Sequence, residues 1–392
     1  MNKSTIQLAD TPHCTGCGVC SAVCPRAAIK WIEDELGFAY PAIDGKRCIN
    51  CGQCAKACPI LKKRFTSNDS KDVQRQVYAV KATDDSLRLK SSSGGVFSLM
   101  AEEILQNGGV VFGVVWDSAS GRAVYAQATD SDGIASMRGS KYVQAFAGAI
   151  YGHVKERIVE GRDVLFTGTP CQIAGLLAFL GCKPERLLLA EVICMGCLSS
   201  KTLALAGKEC GWGGRGEVVF RNKDDGWNAG CCARPTARVK YVDGNGKSVK
   251  SAMFYRAMMS HLWQRESCYN CVVKENFGSG ADITLGDFWN VHRSLPDFDD
   301  DKGVSLVVVH SESGCGMWKK IVGNTAWRHS SIEIALEINP SLCESLSRPK
   351  NRSKTAELVK EGLSVRNICA KLDPHPTLLK RITGKLKRMV HL

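Results

Sequence analysis

The pattern of apolar and polar residues changes near residue 77. Before that point, the stretch IKWIEDELGFAYPAI alternates enough to predict a short β-hairpin within residues 25–47. From Val77 onwards, strand-like runs alternate with helical ones, which indicates an α/β domain. The polar stretch FTSNDSKDVQRQ between the two parts predicts a linker over residues 65–76.

The segment SSSGGVFSLMAEEILQNGG predicts a helix followed by a buried strand. Val96, Met100 and Ile104 fall on one helical face, and the closing NGG ends the helix before the strand-like run VVFGVVW. The serine-glycine start of this helix offers free backbone N–H groups to an anion. An ordinary capped helix is the more common explanation of the same residues.

The segment DVLFTGTPCQIAGLLAFLG repeats this logic. It predicts a strand over Val164–Phe166, a tight turn, and a helix that begins at Pro170 and ends at Leu180. Cys171 then lies in the first helical turn, where backbone N–H groups stabilise a thiolate. The residue is an inert buried thiol, a nucleophile or a metal ligand; no obvious catalytic histidine nearby supports a nucleophile.

Three more cysteines extend this group. Cys194 ends the strand-like run LLLAEVI, and Cys268 and Cys271 have the Cys-x2-Cys spacing of half a metal site. Ligand sites in α/β sheets gather at the carboxyl ends of the strands. Together with Cys171 the count reaches four, the number that a [4Fe-4S] cluster needs.

Composition narrows the class of protein. The chain has 392 residues, enough for two or three domains, and its 44% hydrophobic and 23% charged content is normal for a globular protein. The polar start MNKSTIQLAD lacks the apolar region of a signal peptide, and no run of eighteen apolar residues could span a membrane. We therefore expect a cytoplasmic protein whose twenty cysteines bind metal rather than form disulfides.

Eight of these cysteines form two repeats of one pattern. HCTGCGVCSAVCP and RCINCGQCAKACP both read Cys-x2-Cys-x2-Cys-x3-Cys-Pro, as in bacterial two-cluster ferredoxins, where the fourth cysteine starts a short helix and reaches the other cluster. A pair of zinc sites is the alternative, although zinc does not call for two such runs. We predict two [4Fe-4S] clusters, one on Cys14, Cys17, Cys20 and Cys58 and the other on Cys48, Cys51, Cys54 and Cys24.

The formal net charge of +13 fits an anionic cofactor, an acidic protein or a nucleic acid, and the scattered basic residues decide little. Residues 376–392, PTLLKRITGKLKRMVHL, are the exception. They contain five basic residues and no acidic one, and Leu379, Ile382, Leu386 and Val390 recur at three- and four-residue spacing. A basic amphipathic helix lies on an anionic membrane or docks on an acidic partner. A solvated terminal helix is the simpler alternative.

Six ordered motifs carry a family resemblance: SSSGGVFS, RGSKYVQA, FTGTPCQIAGL, ICMG, SCYNC and DITLGDFW. Over about residues 10–310 the chain resembles the coenzyme F420 hydrogenase/dehydrogenase beta-subunit family, whose bacterial members are often fused to a two-cluster ferredoxin. The resemblance implies an α/β flavin-binding domain after a small α+β bacterial-type 2[4Fe-4S] ferredoxin domain. We predict a ferredoxin domain at 1–64, a linker at 65–76, an FAD and iron–sulfur domain at 77–345 and a basic helical tail at 346–392.

The resemblance also implies site residues. It gives the role of third-cluster ligand to Cys171, Cys194, Cys268 and Cys271, and flavin contacts to Ser93, Gly94, Gly95, Lys141, Tyr142 and Thr169. Many bacterial members have a histidine where this chain has Met195, and the extra Cys197 could replace Cys194 as a ligand. Lys141 is otherwise a solvated lysine, and Asp287 either positions a flavin or substrate group or caps a turn.

The implied function is an iron–sulfur flavoprotein oxidoreductase that passes electrons between [4Fe-4S] clusters and a hydride carrier through FAD. The catalytic residues stay unassigned. Expected redox partners are ferredoxin, F420 or a nicotinamide, with no nucleic acid and with peripheral membrane contact through the tail. The alternative is a non-catalytic electron-transfer subunit of a separate enzyme, in surface-polysaccharide metabolism for example. We also expect the large domain to fold without residues 1–64, and eight cysteines to be mostly free thiols: Cys182, Cys197, Cys210, Cys231, Cys232, Cys315, Cys343 and Cys369.

Overall fold

The computed structural model describes residues 6–63, 75–224, 226–228 and 236–373. The strands in these ranges are β1 Ile29–Glu33, β2 Ala39–Ile43, β3 Gln76–Ala82, β4 Val110–Asp117, β5 Arg122–Ala128, β6 Val164–Gly168, β7 Leu187–Val192, β8 Glu217–Val219, β9 Val239–Val242, β10 Ser248–Ser251, β11 Ile283–Asp287, β12 Ser305–Val309 and β13 Thr325–Ser330.

The helices in the same ranges are α1 Val19–Ala22, α2 Gln53–Ala57, α3 Pro59–Lys62, α4 Asp85–Lys90, α5 Val96–Gln106, α6 Ser131–Met137, α7 Ile150–Val159, α8 Pro170–Leu180, α9 Ser200–Lys208, α10 Met253–Met259, α11 Val291–Ser294, α12 Glu312–Ile321, α13 Ile332–Ile338, α14 Arg352–Lys360 and α15 Val365–Leu372. Short 3₁₀ helices cover Glu266–Asn270, Glu275–Phe277, Pro296–Phe298, Val322–Asn324 and Pro340–Leu342.

The N-terminal module consists of the β1–β2 hairpin and the helices α1, α2 and α3. The two strands pair antiparallel from Ile29 opposite Ile43 to Glu33 opposite Ala39, as the alternating pattern predicts. Cys58 precedes α3 as its N-cap residue, with Pro59 in the first helical position. The same prediction for Cys24 is wrong: this residue follows α1 and starts a turn, because the Ala27 N–H bonds back to its carbonyl instead of continuing into a helix.

The large domain is built on one mixed eight-stranded sheet with the order β13-β3-β12-β11-β7-β6-β4-β5. Its centre, β11-β7-β6-β4, is parallel, so the carboxyl ends of these four strands meet at one edge. A separate three-stranded antiparallel sheet has the order β10-β9-β8. The α/β class is confirmed, and it places the residues after β6 and β7 side by side.

Two apolar layers cover the central sheet. On one face, α5 and α12 pack Met100 and Trp318 against Leu165 and Leu188. On the other face, α7 and α8 pack against alternate residues of the same strands, including Phe166. The strands are buried on both sides, which explains their continuous apolar sequence.

The predicted strand–turn–helix unit around Cys171 agrees with the structure in detail. Helix α8 begins at Pro170, whose missing N–H costs nothing in the first turn, and it ends before Gly181. Gly181 has a φ of 83°, a left-handed conformation that glycine adopts without strain. Cys171 therefore lies in the first turn of α8, directly beyond the carboxyl end of β6.

The N-terminal module is not an independent unit. Val19 belongs to the apolar layer beneath α8, and Leu36 and Phe38 lie fully buried in a cluster with Leu198 and Trp263 of the large domain. Deleting residues 1–64 would strip apolar contacts from both clusters. The expectation that the large domain folds without this module is therefore not supported by the packing.

The described part of the predicted basic helical tail, residues 346–373, packs on the large domain. Leu358 of α14 and both Val365 and Ile368 of α15 are buried in the cluster that holds Trp263. These helices are part of the folded core, because their apolar faces are covered. The predicted basic amphipathic stretch 376–392 lies outside the described residues, and no helix among the described residues is long and apolar enough to cross a membrane.

Candidate redox site

The first group of thiols joins the two cysteine motifs. Cys14, Cys17 and Cys20 of the first motif lie close enough to Cys58 of the second to interact electrostatically, and at most 9% of any of these four residues is exposed. Burial above all, together with the neighbouring Cys58 and Cys14 thiols, raises the pKa of Cys17 to about 11. A cationic iron cluster would offset both effects, since metal coordination deprotonates a thiol outright.

The second group forms beside the first. Cys24 of the first motif lines one cavity together with Cys48, Cys51 and Cys54 of the second. Burial raises the pKa of Cys54, and the nearby Cys24 and Cys48 thiols add to this rise. Each motif thus sends its fourth cysteine to the other group, which is the exchange that two-cluster ferredoxins use.

These groups differ from a zinc site. Within the described ranges, no three His, Cys, Asp or Glu side chains converge closely enough to hold one metal ion. Zinc requires such tetrahedral convergence. A cubane cluster is larger and gives each thiolate its own iron, so its ligands stand farther apart.

A third group of thiols lies at the carboxyl edge of the large sheet. Cys171 follows β6, Cys194 follows β7, and Cys268 lies on the 3₁₀ helix that precedes Cys271. Cys171 interacts electrostatically with Cys194 and Cys271, and both of these interact with Cys268. Burial raises the pKa of Cys194 to about 12 and that of Cys171 well above its ordinary value. The structure therefore brings together all four residues predicted as third-cluster ligands.

Cys197 is the fifth thiol at this edge. It forms a hydrogen bond with Cys268, and this bond lowers the pKa of Cys268 to about 7. The thiol of Cys194 interacts with Cys268, Cys271 and Cys171, whereas that of Cys197 interacts with Cys268 and Cys194. Cys194 is thus the better placed of the two to complete a set of four.

Helix α8 connects the third group to the first. Cys171 lies near enough to Cys17 for the two thiols to interact. A side chain at Gly175 would place its Cβ 2.9 Å from the Cys17 Cβ and 2.6 Å from the Tyr151 hydroxyl, so only glycine permits this approach. The Tyr151 hydroxyl donates to the Cys17 carbonyl over 2.8 Å and fixes the contact.

Two buried cations, Arg265 and Lys274, lie close enough to Cys268 of the third group to lower its pKa. Arg265 donates from Nε to the Cys14 carbonyl over 2.7 Å, and its Nη2 lies 3.6 Å from the Cys14 Sγ. Lys274 donates to the Cys194 carbonyl over 3.2 Å. A cluster held by four thiolates carries net negative charge, and such nearby positive charges offset it.

The predicted flavin-binding motifs meet at the Ser92 and Ser140 hydroxyls, 2.8 Å apart. Two groups in the first motif have protein partners: the Ser93 hydroxyl donates to the Val304 carbonyl over 2.7 Å, and the Gly94 N–H donates to Ser305 over 2.9 Å. These bonds fix the loop on β12. Gly95 follows with a φ of 90° and starts α5, whose first turn lies at the carboxyl edge of the sheet.

Lys141 is not a solvated surface lysine. Its ammonium donates to three carbonyls at the end of α6, with distances of 2.9 Å to Met137 and 2.8 Å to Arg138. Burial lowers its pKa to about 7. Among the described residues no carboxylate forms an ion pair with it. The three carbonyls accept from all three N–H groups of this ammonium, so an anion nearby would interact with its charge rather than through a further hydrogen bond.

The two remaining predicted flavin contacts lie in different surroundings. Tyr142 is partly buried and packs edge-on against Phe220 and Tyr255, with ring centroids 6.1 Å and 6.2 Å away. The Thr169 hydroxyl lies 3.2 Å from the Cys171 Sγ, so it adjoins the third group. Of the two, only Thr169 has a polar atom beside the thiols.

Asp287 at the end of β11 is part of a buried ion pair. Its carboxylate accepts a hydrogen bond from Arg221, whose guanidinium lies 4.8 Å from the ring centre of Trp289. Asp287 therefore anchors Arg221 in the structure, and its two predicted roles stay predictions.

Comparison with protein-family models matches most of the chain. The 4Fe-4S dicluster domain matches residues 13–60. The N-terminal model of the coenzyme F420 hydrogenase/dehydrogenase beta subunit matches residues 77–148, and the C-terminal model matches residues 161–333. The chain belongs to the coenzyme F420 hydrogenase/dehydrogenase beta-subunit family. As a beta-subunit family member with a dicluster domain, it is an iron–sulfur electron-transfer oxidoreductase.

Among solved structures, this beta-subunit family member is similar to a chain of the xenon-derivatised F420-reducing [NiFe] hydrogenase complex from Methanosarcina barkeri. The two are 18% identical, with a TM-score of 0.47, over 76% of this chain and 91% of that one. A search of curated proteins gave no match.

Sequence reasoning missed the two cations of the beta-subunit domain. Arg265 lies three residues before Cys268, and Lys274 lies three residues after Cys271. A basic residue on each side of SCYNC was the available signal. Of the unassigned cysteines, Cys182 is exposed and Cys369 is buried in the core, while Cys231 and Cys232 lie outside the described residues.

Proposed function

We propose that this protein is an iron–sulfur flavoprotein that passes electrons between its clusters and a hydride carrier or substrate through FAD. The observation that carries this proposal is the grouping of Cys171, Cys194, Cys268 and Cys271 at one place, next to Cys17 of the ferredoxin module. Four thiols at one site are the ligand set of a third [4Fe-4S] cluster. Such a cluster would lie between the N-terminal clusters and the rest of the carboxyl edge.

The residues of the third group suit a cluster. The four residues are partly buried, so a cluster there would be partly shielded from water, and Thr169 can donate a hydrogen bond to the Cys171 sulfur over 3.2 Å. Hydrogen bonds and nearby charges tune the potential of an iron–sulfur centre. Arg265 and Lys274 supply positive charge close to Cys268 of the group.

FAD would accept two electrons as one hydride and pass them on one at a time, or carry out the same steps in the opposite direction. The residues that would hold it are Ser93, Gly94, Gly95, Lys141, Tyr142 and Thr169. The buried ammonium of Lys141 supports an anionic partner, and the Ser92–Ser140 contact brings its loop to the start of α5. Helix N-termini bind phosphates through their free N–H groups. Thr169 would place the cofactor next to the third cluster, because it lies two residues before Cys171.

Binding of FAD is expected to take up protons through Lys141. The lowered pKa of about 7 leaves this amine largely neutral at pH 8, and an adjacent anion would raise the pKa and protonate it. Isothermal titration calorimetry at pH 8, in buffers of different ionisation enthalpy, measures this uptake. The Lys141→Gln variant is expected to lose it.

The lowered pKa of Lys141 also predicts how the stability of the FAD-free protein changes with pH. The folded-state pKa of Lys141 lies below the ordinary value, so the cost of burying its charge is fully present below pH 7 and is relieved as the pH rises.

The control for the calorimetry is Lys155→Gln, at an exposed site of α7, which should keep the proton uptake. Equal uptake by the Lys141→Gln variant would remove Lys141 from the FAD site.

The direct test is anaerobic reduction of the cluster-loaded, FAD-loaded protein. NADH, NADPH, reduced F420 and reduced ferredoxin are added separately, and flavin and cluster absorbance are followed. Reduction of both centres by at least one hydride donor and by ferredoxin is expected. Cluster reduction by ferredoxin without flavin reduction by any donor would instead favour a non-catalytic electron-transfer subunit.

A further inference from the structure

The two thiol groups of the ferredoxin module are not equivalent. All four residues of the Cys14/Cys17/Cys20/Cys58 group, called the inner group here, are buried, and Cys17 adjoins Cys171. In the Cys24/Cys48/Cys51/Cys54 group, called the outer group, Cys51 is exposed and only Cys54 is buried. Electron transfer to a partner protein slows steeply with distance, so the more exposed outer group is the better placed of the two for contact with a partner in solution.

We propose that the surface around the outer group is the electron port of this protein, and that it receives an acidic one-electron carrier protein. This inference rests on the electron route proposed above and names the partner for its first step. The inner cluster is then the relay to the third cluster. The carrier gives up one electron, the outer cluster gains it, and two such encounters supply the two electrons of one hydride.

The charge of this surface selects the partner. Residues 45–63 contain five basic residues and no acidic one, and residues 20–32 contain two basic residues and no acidic one. Arg26 lines the cavity of the outer group, while Lys46 and Arg47 form the turn before Cys48. Lys30 is paired with Asp44 over 2.8 Å, but Arg26, Lys46, Arg47 and Lys56 are exposed and form no ion pair within the described residues.

The port also has an apolar centre. Ile49 lies between Cys48 and Cys51, lines the same cavity, and is 59% exposed. A small apolar contact near several basic residues suits a short-lived complex with a partner protein. The charges steer the partner, and the small apolar area keeps the complex weak. An acidic carrier with its own cluster near its surface fits both features.

The test compares rates of cluster reduction at low ionic strength by stopped flow. The probes are a reduced acidic two-cluster ferredoxin and the small cationic methyl viologen radical. The double variant Lys46→Glu/Arg47→Glu is expected to slow reduction by ferredoxin about tenfold or more, because steering is lost. Reduction by methyl viologen should not slow, and the salt dependence with ferredoxin should flatten.

A matched control carries the same change of charge elsewhere. Lys319→Glu/Lys354→Glu alters two exposed lysines on α12 and α14 and should leave the ferredoxin rate unchanged. Lys56→Glu/Arg26→Glu, a second port variant, should repeat the tenfold effect. Unchanged ferredoxin rates in both port variants, an equal loss in the control, or an equal loss with methyl viologen would each overturn the port.

Failure of the port and failure of the proposed function are distinguishable. The readout is the absorbance of the clusters, which does not require the flavin to accept electrons. Cluster reduction that depends on the port charges while the flavin stays oxidised would preserve the port and contradict the FAD route. If the flavin is reduced normally and ferredoxin reduces the clusters of the port variants at the native rate, the FAD route is preserved and the port is contradicted.

Discussion

Replacing Arg265 by methionine is expected to destabilise the protein strongly, because three groups of the ferredoxin module lose their contact with it. The buried guanidinium donates to the Cys14 carbonyl over 2.7 Å and to the Ala39 carbonyl over 3.1 Å, and it lies 4.1 Å from the ring centre of Tyr40. Each buried carbonyl left without a donor costs about 1–3 kcal/mol, so the two together predict a loss of about 2–6 kcal/mol. The ferredoxin module should loosen first, since all three partners belong to it.

Thermal unfolding of the cluster-loaded protein measures this effect. Arg256→Met is the control, because Arg256 pairs with the partly exposed Asp373 and its loss should cost about 1 kcal/mol or less. Arg265→Lys restores the charge without the planar fork and should recover only part of the stability. Equal melting temperatures for the Arg265→Met and Arg256→Met variants would contradict the role of Arg265 in holding the ferredoxin module on the large domain.

A redox titration adds a readout that a purely structural role would not move. Arg265 places positive charge 3.6 Å from the Cys14 Sγ, which favours the reduced, more negative form of the inner cluster. The Arg265→Lys variant should keep that cluster's potential close to the native value. In folded Arg265→Gln protein the potential should fall, while the potential of the outer cluster stays the same.

Replacing Cys171 by serine is expected to slow electron transfer between the ferredoxin module and the flavin by orders of magnitude. The variant would remove one ligand of the proposed third cluster, and electrons would then have to cross in one step the distance that this cluster would divide in two. Hydride exchange at the flavin should survive if FAD remains bound. Stopped-flow spectra separate the two steps because flavin and clusters absorb differently.

The control for this experiment lies just beyond the same helix. Cys182 follows Gly181 at the end of α8 and is exposed, so Cys182→Ser should transfer electrons at the native rate. Two results would contradict the route through the third cluster. One is equilibration of flavin and N-terminal clusters at the native rate in Cys171→Ser; the other is failure of hydride reduction while FAD stays bound.

The sequence was most informative where local rules determine the structure. Pro170 and Gly181 set the ends of α8, and the apolar runs of β6 and β7 are buried on both sides as expected. These elements alone bring Cys171 and Cys194 to the same edge of the sheet. The spacing of the N-terminal cysteines likewise predicted how the two motifs exchange their fourth thiol, because the chain between them is short.

The docking of the ferredoxin module was not predictable in this way. Leu36 and Phe38 read as ordinary hairpin residues, yet they are buried against Trp263, more than two hundred residues away in sequence. Arg265 and Lys274 are likewise functional only because of partners that are distant along the chain. Contacts of this kind depend on packing between units, which neither periodicity nor spacing records.

Iron content is the most direct test of the third cluster. Anaerobically reconstituted full-length protein is expected to hold about twelve irons and about twelve sulfides per chain, as three [4Fe-4S] clusters require. Cys268→Ser should reduce this to about eight irons, while Cys210→Ser, which changes a thiol outside the three groups, should keep about twelve. About eight irons in the native protein, with no further loss in Cys268→Ser, would contradict the third cluster.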